Sequence, residues 1–186
     1  VRGLDLPGPE IRTTDRAEPA RLSDGETVRF VPGETDDPDA IGVTTALAAV
    51  EPGDRVLVDD GRIETTVERV EGETVVARVD SGGPVGGHEG VNVPGVDLGL
   101  DPVTEADERE LDLAGEIGVD FVAASFVRDG EDVLRVSRAI ENRGVEVPVV
   151  AKVERADAVA NLASIVAVAD GVMVARGDLG VECPLE

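Results

Sequence analysis

The stretch VDFVAASFVRDGEDVLRVSRAIENRGVEVPVVAKVE (residues 119–154) contains two short apolar runs on either side of an amphipathic segment. The runs are rich in Val and Ala and carry almost no charge, which is typical of strands that are buried on both faces. Asp129 stands where a helix N-cap is expected, and Gly144 stands where a helix would end. The stretch therefore predicts strand–helix–strand, the repeating unit of a parallel sheet covered by helices.

The flanking sequence continues the same alternation. Residues 104–118 predict a helix that begins after Thr104, residues 155–169 predict a further helix, and residues 171–178 begin with a last strand whose Met173 is expected in the core. Residues 1–6 read as a strand that breaks at a Pro-Gly-Pro turn and is expected to join the same sheet.

The segment between these two parts has a different period. Apolar and polar residues alternate at 26–31, 54–60, 62–70 and 74–80, and turn-forming residues separate these runs. The pattern predicts a small antiparallel β unit inserted into the α/β part. The expected domains are residues 1–14 and 93–186 for the α/β part and residues 15–92 for the insertion.

Two architectures fit the α/β part: a portion of a (β/α)₈ barrel or an open doubly wound sheet. The first β/α turn lacks the glycine pattern G-x-G-x-x-G of dinucleotide-binding folds. Polar residues follow the predicted strands, as they do on the active-site face of a barrel; they are Asp5, Ser125, Lys152, Glu154, Gly177 and Asp178. Four strands cannot close a barrel, so we expect the chain to be part of a larger protein.

The composition excludes several classes of partner. A formal net charge of −23 would repel nucleic-acid phosphates and anionic lipids. No apolar run is long enough to span a bilayer, which predicts a soluble protein. The single cysteine, Cys183, cannot form an internal disulfide, and a reducing, cytoplasmic location is expected. The acidic surface suggests a halophilic organism, although a preference for arginine codons would also explain the scarcity of lysine.

Lys152 is the only lysine among 17 lysine and arginine residues. Lys152 and Glu154 lie two apart on a predicted strand, so both side chains point to the same face. The pair could be a structural ion pair. It could instead place a compact cation next to a metal-binding carboxylate, a role for which the planar guanidinium group of arginine is poorly suited.

The sequence ARGDLG (residues 175–180) follows the last predicted strand. Gly177 would let backbone amides approach an anion, and Asp178 could bind a divalent cation or cap a helix. Together with Glu154, Asp178 would suit a Mg²⁺ ion that takes its other ligands from water and substrate.

These segments, in this order, resemble the pyruvate kinase family. The matching motifs are DLPGPEIR (5–12), VDDGRI (58–63), EGVNVPG (89–95), TEADERELDLAGEIGVDFVAASFVR (104–128), AKVE (151–154) and DGVMVARGDLGVE (170–182). The resemblance covers essentially the whole chain. It implies a (β/α)₈ barrel of which this chain supplies about strands three to six, with a small antiparallel β-barrel lid inserted after strand three.

The resemblance also implies roles for individual residues. Lys152 would stabilise the transferred phosphoryl group and the enolate, and Glu154 and Asp178 would bind Mg²⁺ or Mn²⁺. Asp5 would bind K⁺ through its carboxylate, and Leu6 would do so through its carbonyl.

Further roles concern the substrates. The amides of Gly177 and Asp178 would hold the substrate carboxylate, and Ser125 would lie near the phosphate. Arg12 would contact nucleotide phosphate, and Asp60 belongs to the lid motif that closes over the nucleotide.

The implied reaction is phosphoryl transfer from phosphoenolpyruvate to ADP, giving pyruvate and ATP in glycolysis. The family is usually tetrameric, and the isolated chain is expected to be inactive. Two positions depart from the family: Glu89 stands where a lid lysine is frequent, and Pro7 stands where many members have lysine. A Mg²⁺-dependent lyase or aldolase of the phosphoenolpyruvate/pyruvate barrel type, or a folded unit without catalysis, are the alternatives.

Four arginines around the second predicted helix are interpreted as its solvated face and C-terminal dipole partners; they are Arg128, Arg135, Arg138 and Arg143.

Overall fold

The computed structural model describes residues 1–183. In chain order its strands are β1 (Gly3–Leu6), β2 (Ile11–Arg12), β3 (Ala20–Leu22), β4 (Thr27–Pro32), β5 (Ala40–Val43), β6 (Arg55–Val58), β7 (Ile63–Glu71), β8 (Thr74–Ser81), β9 (Gly83–Val85), β10 (Gly90–Asn92), β11 (Phe121–Ala124), β12 (Val149–Val153) and β13 (Gly171–Val174). Its helices are α1 (Glu105–Ile117), α2 (Gly130–Glu141), α3 (Ala156–Ala160), α4 (Leu162–Val168) and α5 (Arg176–Glu182).

The chain divides into two compact units, Val1–Pro9 with Leu100–Glu186 and Glu10–Gly99. The first unit contains a four-stranded sheet in the order β1-β11-β12-β13, in which every neighbouring pair is parallel. The expectations of a parallel sheet with covering helices, and of the first strand joining it, are therefore confirmed.

Helix caps in this unit follow the sequence signals. Thr104 caps α1 in a capping box with Asp107, and Asp129 caps α2 through the amides of Glu131 and Asp132. One predicted helix is divided, because the backbone at Asn161 leaves helical geometry and separates α3 from α4. The Asn161 side chain donates a hydrogen bond to the Arg128 carbonyl, which stabilises the break.

The core of the first unit lies between one sheet face and the helices. Strand residues that alternate along the chain share this core with apolar residues of α1 and α2; the strand residues are Leu6, Val122, Ala124, Val149, Ala151 and Val153. The alternate positions, including Asp5, Ser125 and Lys152, consequently belong to the opposite face. Met173 is 44% exposed on the edge strand β13, so the expectation that it lies in the core is wrong.

The second unit contains a seven-stranded sheet in the order β2-β10-β6-β7-β8-β4-β5 and a two-stranded sheet of β3 and β9. An isolated antiparallel bridge joins Thr13, which follows β2, to Val43 at the end of β5. The predicted domain ends at 15 and 92 lie inside the limits of this unit, which runs from Glu10 to Gly99.

One strand pair in the second unit differs from the antiparallel expectation. β4 and β5 are parallel, so the loop between them must return to the start of β4. Asp37 stabilises this loop, because its carboxylate accepts hydrogen bonds from the Arg29 side chain and the Asp39 amide.

Within residues 1–183, no helix combines the length and the apolar content that a membrane crossing requires.

Candidate active site

Four polar side chains from three neighbouring strands meet at the carboxyl edge of the parallel sheet; they are Asp5, Ser125, Lys152 and Glu154. Ala124 pairs with Ala151, so the following residues, Ser125 and Lys152, lie side by side. Because side chains alternate along a strand, the four residues share one face of the sheet. The structure thus brings together four of the six residues that were expected to follow the strands.

The ammonium group of Lys152 has three oxygen partners. Its Nζ donates to Ser125 Oγ at 2.8 Å and lies 3.0 Å from Glu154 Oε1 and 3.2 Å from Asp5 Oδ1. Its side chain is only 15% exposed. An ammonium group can direct three donors to three separate acceptors, whereas a guanidinium group has a fixed planar arrangement. This geometry gives a physical reason for a lysine at this position.

The charge of Lys152 is favoured despite its partial burial. Burial alone lowers the pKa of Lys152, but the hydrogen bond and charge of Glu154 and the charge of Asp5 outweigh it and raise the pKa above the ordinary value. Lys152 is therefore a fixed positive charge at neutral pH.

Glu154 is almost completely buried, with 2% exposure. Its Oε2 accepts a hydrogen bond from the backbone amide of Phe126 at 2.8 Å. Phe126 has φ of +55°, a left-handed conformation that non-glycine residues seldom adopt. The backbone strain at Phe126 thus coincides with the amide that orients the Glu154 carboxylate.

Burial also raises the pKa of Glu154. The Phe126 amide and Lys152 oppose this effect, and the negative charge of Asp178 adds to it. Two carboxyl groups that repel each other in a desolvated site are suitable ligands for a divalent cation, which would relieve the repulsion. Among the described residues, no three or more His, Cys, Asp or Glu side chains lie close enough together to hold a metal ion.

Gly177 and Asp178 lie in the first turn of α5, directly after β13. Ala175 is the N-cap of this helix and forms no side-chain capping bond, so the alternative of Asp178 as the helix cap is wrong. Apart from its chain neighbours and the backbone of its own helix, no atom of residues 1–183 lies within 4 Å of where a Cβ on Gly177 would be, so the space beside this backbone is open.

The turn after β1 is joined to Ser125. The Ser125 amide donates to the Leu6 carbonyl at 3.3 Å. Gly8 has φ of +66°, and a Cβ there would lie 2.8 Å from the Ser125 carbonyl oxygen. The Leu6 carbonyl is thus bonded to the Ser125 amide, while the Leu6 side chain is buried in the core.

Arg12 and Asp60 belong to the second unit. Within that unit, Arg12 forms an ion pair with Glu10 at 2.7 Å and donates to the His88 carbonyl at 2.7 Å. Asp60 is exposed, and with Asp59 it forms two successive left-handed residues, with φ of +54° and +52° for Asp59 and Asp60.

Comparison with known proteins identifies the family. The protein-family model described as "Pyruvate kinase, barrel domain" matches residues 3–186 of the sequence. The chain belongs to the pyruvate kinase family. It is 44% identical to a pyruvate kinase of Corynebacterium efficiens and 45% identical to one of Mycobacterium tuberculosis, each over 98% of this chain and 39% of the relative. A pyruvate kinase of Geobacillus stearothermophilus is 40% identical, over 98% of this chain and 32% of the relative. The chain thus spans about two fifths, or less, of the length of these curated relatives.

Glu89, which departs from the frequent lysine of pyruvate kinases, is directed into its own unit. Its Oε1 accepts the Gly86 amide at 2.8 Å, and its buried Oε2 accepts no hydrogen bond from the described residues. The side chain therefore stabilises the Gly-rich segment around it.

Two contributors to this candidate site were not assigned from sequence. Phe126 orients Glu154 through its backbone, and no sequence signal marks a phenylalanine for a left-handed conformation. Asp107 accepts a hydrogen bond from the Gly8 amide at 3.1 Å. The sequence predicted a helix that begins after Thr104, but not this contact, which joins residues 99 positions apart.

Proposed function

We propose that the full-length protein containing this chain is a pyruvate kinase that transfers the phosphoryl group of phosphoenolpyruvate to ADP, giving pyruvate and ATP in glycolysis. The supporting observation is the buried ammonium group of Lys152, held by Ser125, Glu154 and Asp5 at the ends of parallel strands in a member of this family. In the proposed reaction, the bond from phosphorus to the enol oxygen breaks, a bond to an ADP oxygen forms, and the enolate takes up a proton.

Lys152 is proposed as the catalytic cation. Phosphoryl transfer spreads negative charge over the phosphoryl oxygens and the leaving enolate, and it depends on positioning and on preorganised positive charge. The three oxygen partners hold the ammonium group in place, and the raised pKa keeps it charged. Ser125, which is 2.8 Å from Nζ, would orient Lys152 and contact the phosphate.

Glu154 and Asp178 are proposed ligands of Mg²⁺ or Mn²⁺. When bound, the cation would neutralise charge on the phosphoryl oxygens. The buried Glu154 carboxylate, whose pKa is raised by burial and by Asp178, supports this assignment. The Asp5 carboxylate and the Leu6 carbonyl are oxygen donors of the type that K⁺ binds, and we assign them to that ion.

The remaining assignments concern substrate contacts. The first-turn amides of Gly177 and Asp178 are proposed to bind the substrate carboxylate, and the open space beside Gly177 supports this role. We also propose that Arg12 contacts nucleotide phosphate and that Asp60 contributes to nucleotide closure.

The proposed architecture is that of strands three to six of a (β/α)₈ barrel with an inserted small β-barrel. The all-parallel order β1-β11-β12-β13 supports the (β/α)₈ barrel. The bridge from Thr13 to Val43, which joins the two outer strands of the seven-stranded sheet, supports the inserted β-barrel.

We further propose a cytoplasmic homotetramer from a halophilic organism, with no nucleic-acid or membrane partner. The net charge of −23 supports the exclusion of anionic partners. Because the chain spans only part of its relatives, we expect the isolated 186 residues to be inactive.

A coupled assay of pyruvate formation by the full-length protein, with phosphoenolpyruvate, ADP, Mg²⁺ and K⁺, tests this function. Lys152→Arg keeps the charge but loses the three-way geometry, so kcat is expected to fall by more than about a hundredfold. Absence of pyruvate formation by the unaltered protein would refute the proposed reaction. Unchanged turnover in Lys152→Arg would instead reduce Lys152 to a structural ion-pair partner.

A further inference from the structure

Asp107 is a fully buried carboxylate in the first turn of α1, with 0% exposure. Its Oδ2 accepts hydrogen bonds from the Thr104 amide and hydroxyl, both at 2.7 Å. Its Oδ1 accepts the Gly8 amide at 3.1 Å. The buried charge is therefore compensated by three donors, two of which come from the helix cap.

The contact with Gly8 is not required for capping α1. Thr104 and Asp107 complete the capping box between themselves, since each side chain bonds the backbone amide of the other residue. A neutral side chain at position 107 could cap the helix without burying a charge. The second carboxylate oxygen of Asp107 adds an acceptor, which is used by the turn after β1. Asp107 thus connects the start of a helix to the segment Leu6–Pro9.

That turn fits against Ser125 on two sides. The Leu6 carbonyl accepts the Ser125 amide, and the left-handed backbone of Gly8 lies where a Cβ would come within 2.8 Å of the Ser125 carbonyl oxygen. Asp5 directly precedes Leu6, and its Oδ1 lies 3.3 Å from Ser125 Oγ. A displacement of the turn would therefore move Asp5 and Ser125, two of the three oxygen partners of Lys152.

We propose that Asp107 is a positioning residue, which fixes the turn after β1 through the Gly8 amide and thereby holds Asp5 and Ser125 against Lys152. The kinetic consequence rests on the proposed function, whereas the structural consequence does not. In this role, Asp107 acts on the site through the Gly8 amide.

Asp107→Asn tests the proposal in the full-length protein. The amide side chain supplies one oxygen and one NH₂ group, so it must present a donor either to Gly8 or to Thr104. Thr104→Val is the matched control, since it removes the hydroxyl from the capping box and leaves the bond from Gly8 to Asp107. Both variants are expected to lower the melting temperature.

Hydrogen exchange followed by mass spectrometry separates the two roles without reference to activity. Asp107→Asn should accelerate exchange in peptides covering residues 5–9 and 121–127, whereas Thr104→Val should accelerate it only at the start of α1. Equal exchange in residues 5–9 for both variants would overturn the proposal. If Asp107→Asn does not fold, Gly8→Ala should accelerate exchange in the same peptides, and unchanged exchange there would overturn the proposal equally.

Kinetics provide the second readout. Asp107→Asn is expected to lower kcat by roughly ten- to a hundredfold, the scale of a small misplacement of catalytic groups, with little change in the KM for ADP. Thr104→Val should retain kcat. A kcat in Asp107→Asn equal to that of Thr104→Val would overturn the positioning role. If the unaltered protein forms no pyruvate, the proposed function fails, and the exchange data alone decide the role of Asp107.

Discussion

Lys152 Nζ lies 3.0 Å from Glu154 Oε1, and this contact joins a cation that is 15% exposed to an anion that is 2% exposed. The contact has opposite effects on its two members. It helps to keep Lys152 charged, but it does not fully offset the burial of Glu154, whose pKa stays above its ordinary value. In the absence of a divalent cation, the ionised Glu154 therefore costs stability, as is common for groups at functional sites.

The stability cost of Glu154 should depend on pH. Glu154 binds its proton more tightly in the folded chain than in the unfolded chain, because its folded pKa is raised. The protonated group therefore contributes fully to the free energy of unfolding below the unfolded pKa of about 4.3. This contribution is lost as pH rises through the raised folded pKa. Glu154→Gln cannot ionise. Without divalent cations, the melting temperature of Glu154→Gln minus that of the unaltered protein should increase from about pH 4 to about pH 7.

Glu141→Gln is the control for this measurement, because Glu141 is exposed at the end of α2. A pH trend of the same size in Glu141→Gln would show that the trend is not specific to the buried carboxylate of Glu154. A constant difference between Glu154→Gln and the unaltered protein would show that Glu154 is not destabilised by its ionisation.

Mg²⁺ should stabilise the protein through Glu154 and Asp178. A ligand that binds only the folded state raises the melting temperature by mass action, so the full-length protein should melt at increasing temperature as Mg²⁺ is added. Glu154→Gln and Asp178→Asn should each remove most of this increase and weaken the calorimetric binding signal, whereas Glu141→Gln should retain both. Equal Mg²⁺ responses in all three variants would place the cation elsewhere.

Removal of the Ser125 hydroxyl should affect catalysis more than folding. Ser125→Ala takes away the shortest contact of Lys152 Nζ, at 2.8 Å, and leaves Glu154 and Asp5 in place. We expect kcat/KM for phosphoenolpyruvate to fall by roughly tenfold, about the free energy of one hydrogen bond to a charged group. Ser137→Ala, which removes a hydroxyl bonded within α2, is the control and should keep kcat/KM. Equal kinetics in the two variants would contradict an orienting role for Ser125.

The sequence was sufficient to predict the parallel sheet and the side chains at its edge. The period of two along a strand placed Lys152 and Glu154 on one face, and the order of strands and helices placed Asp5 and Ser125 near them. These features follow from local patterns, which is why sequence reveals them. The caps at Thr104 and Asp129 are local in the same sense.

The features that sequence did not reveal depend on tertiary contacts. The left-handed backbone of Phe126 is imposed by its surroundings, since phenylalanine has no preference for it. The bond from Gly8 to Asp107 joins distant parts of the chain. Arg128 was interpreted as part of a solvated helix face, but it precedes α2 and forms a bidentate pair with the buried Asp132.

Arg143 should contribute measurably to the free energy of unfolding. Its guanidinium group bonds Glu108 and Asp112 of α1 and donates to the Ala139 carbonyl of α2, so it connects the two helices. Arg143→Ala is expected to lower the free energy of unfolding by about 1.5–3 kcal/mol, the range for hydrogen bonds to charged groups. Arg138 is exposed on α2 and forms no ion pair among the described residues, so Arg138→Ala should change stability little. Equal losses in the two variants would contradict the interhelical role.

Salt should stabilise the protein if its acidic surface is an adaptation to a saline cytoplasm. The 40 carboxylate residues exceed the 17 lysine and arginine residues, so the folded state repels itself, and added salt screens this repulsion. We expect the melting temperature of the full-length protein to rise from about 0.1 M to about 2 M KCl. The increase should shrink as pH approaches the chain's isoelectric point of about 4.2, where the net charge vanishes. Coincident melting curves at neutral pH in both salt concentrations would instead favour codon usage as the reason for the scarcity of lysine.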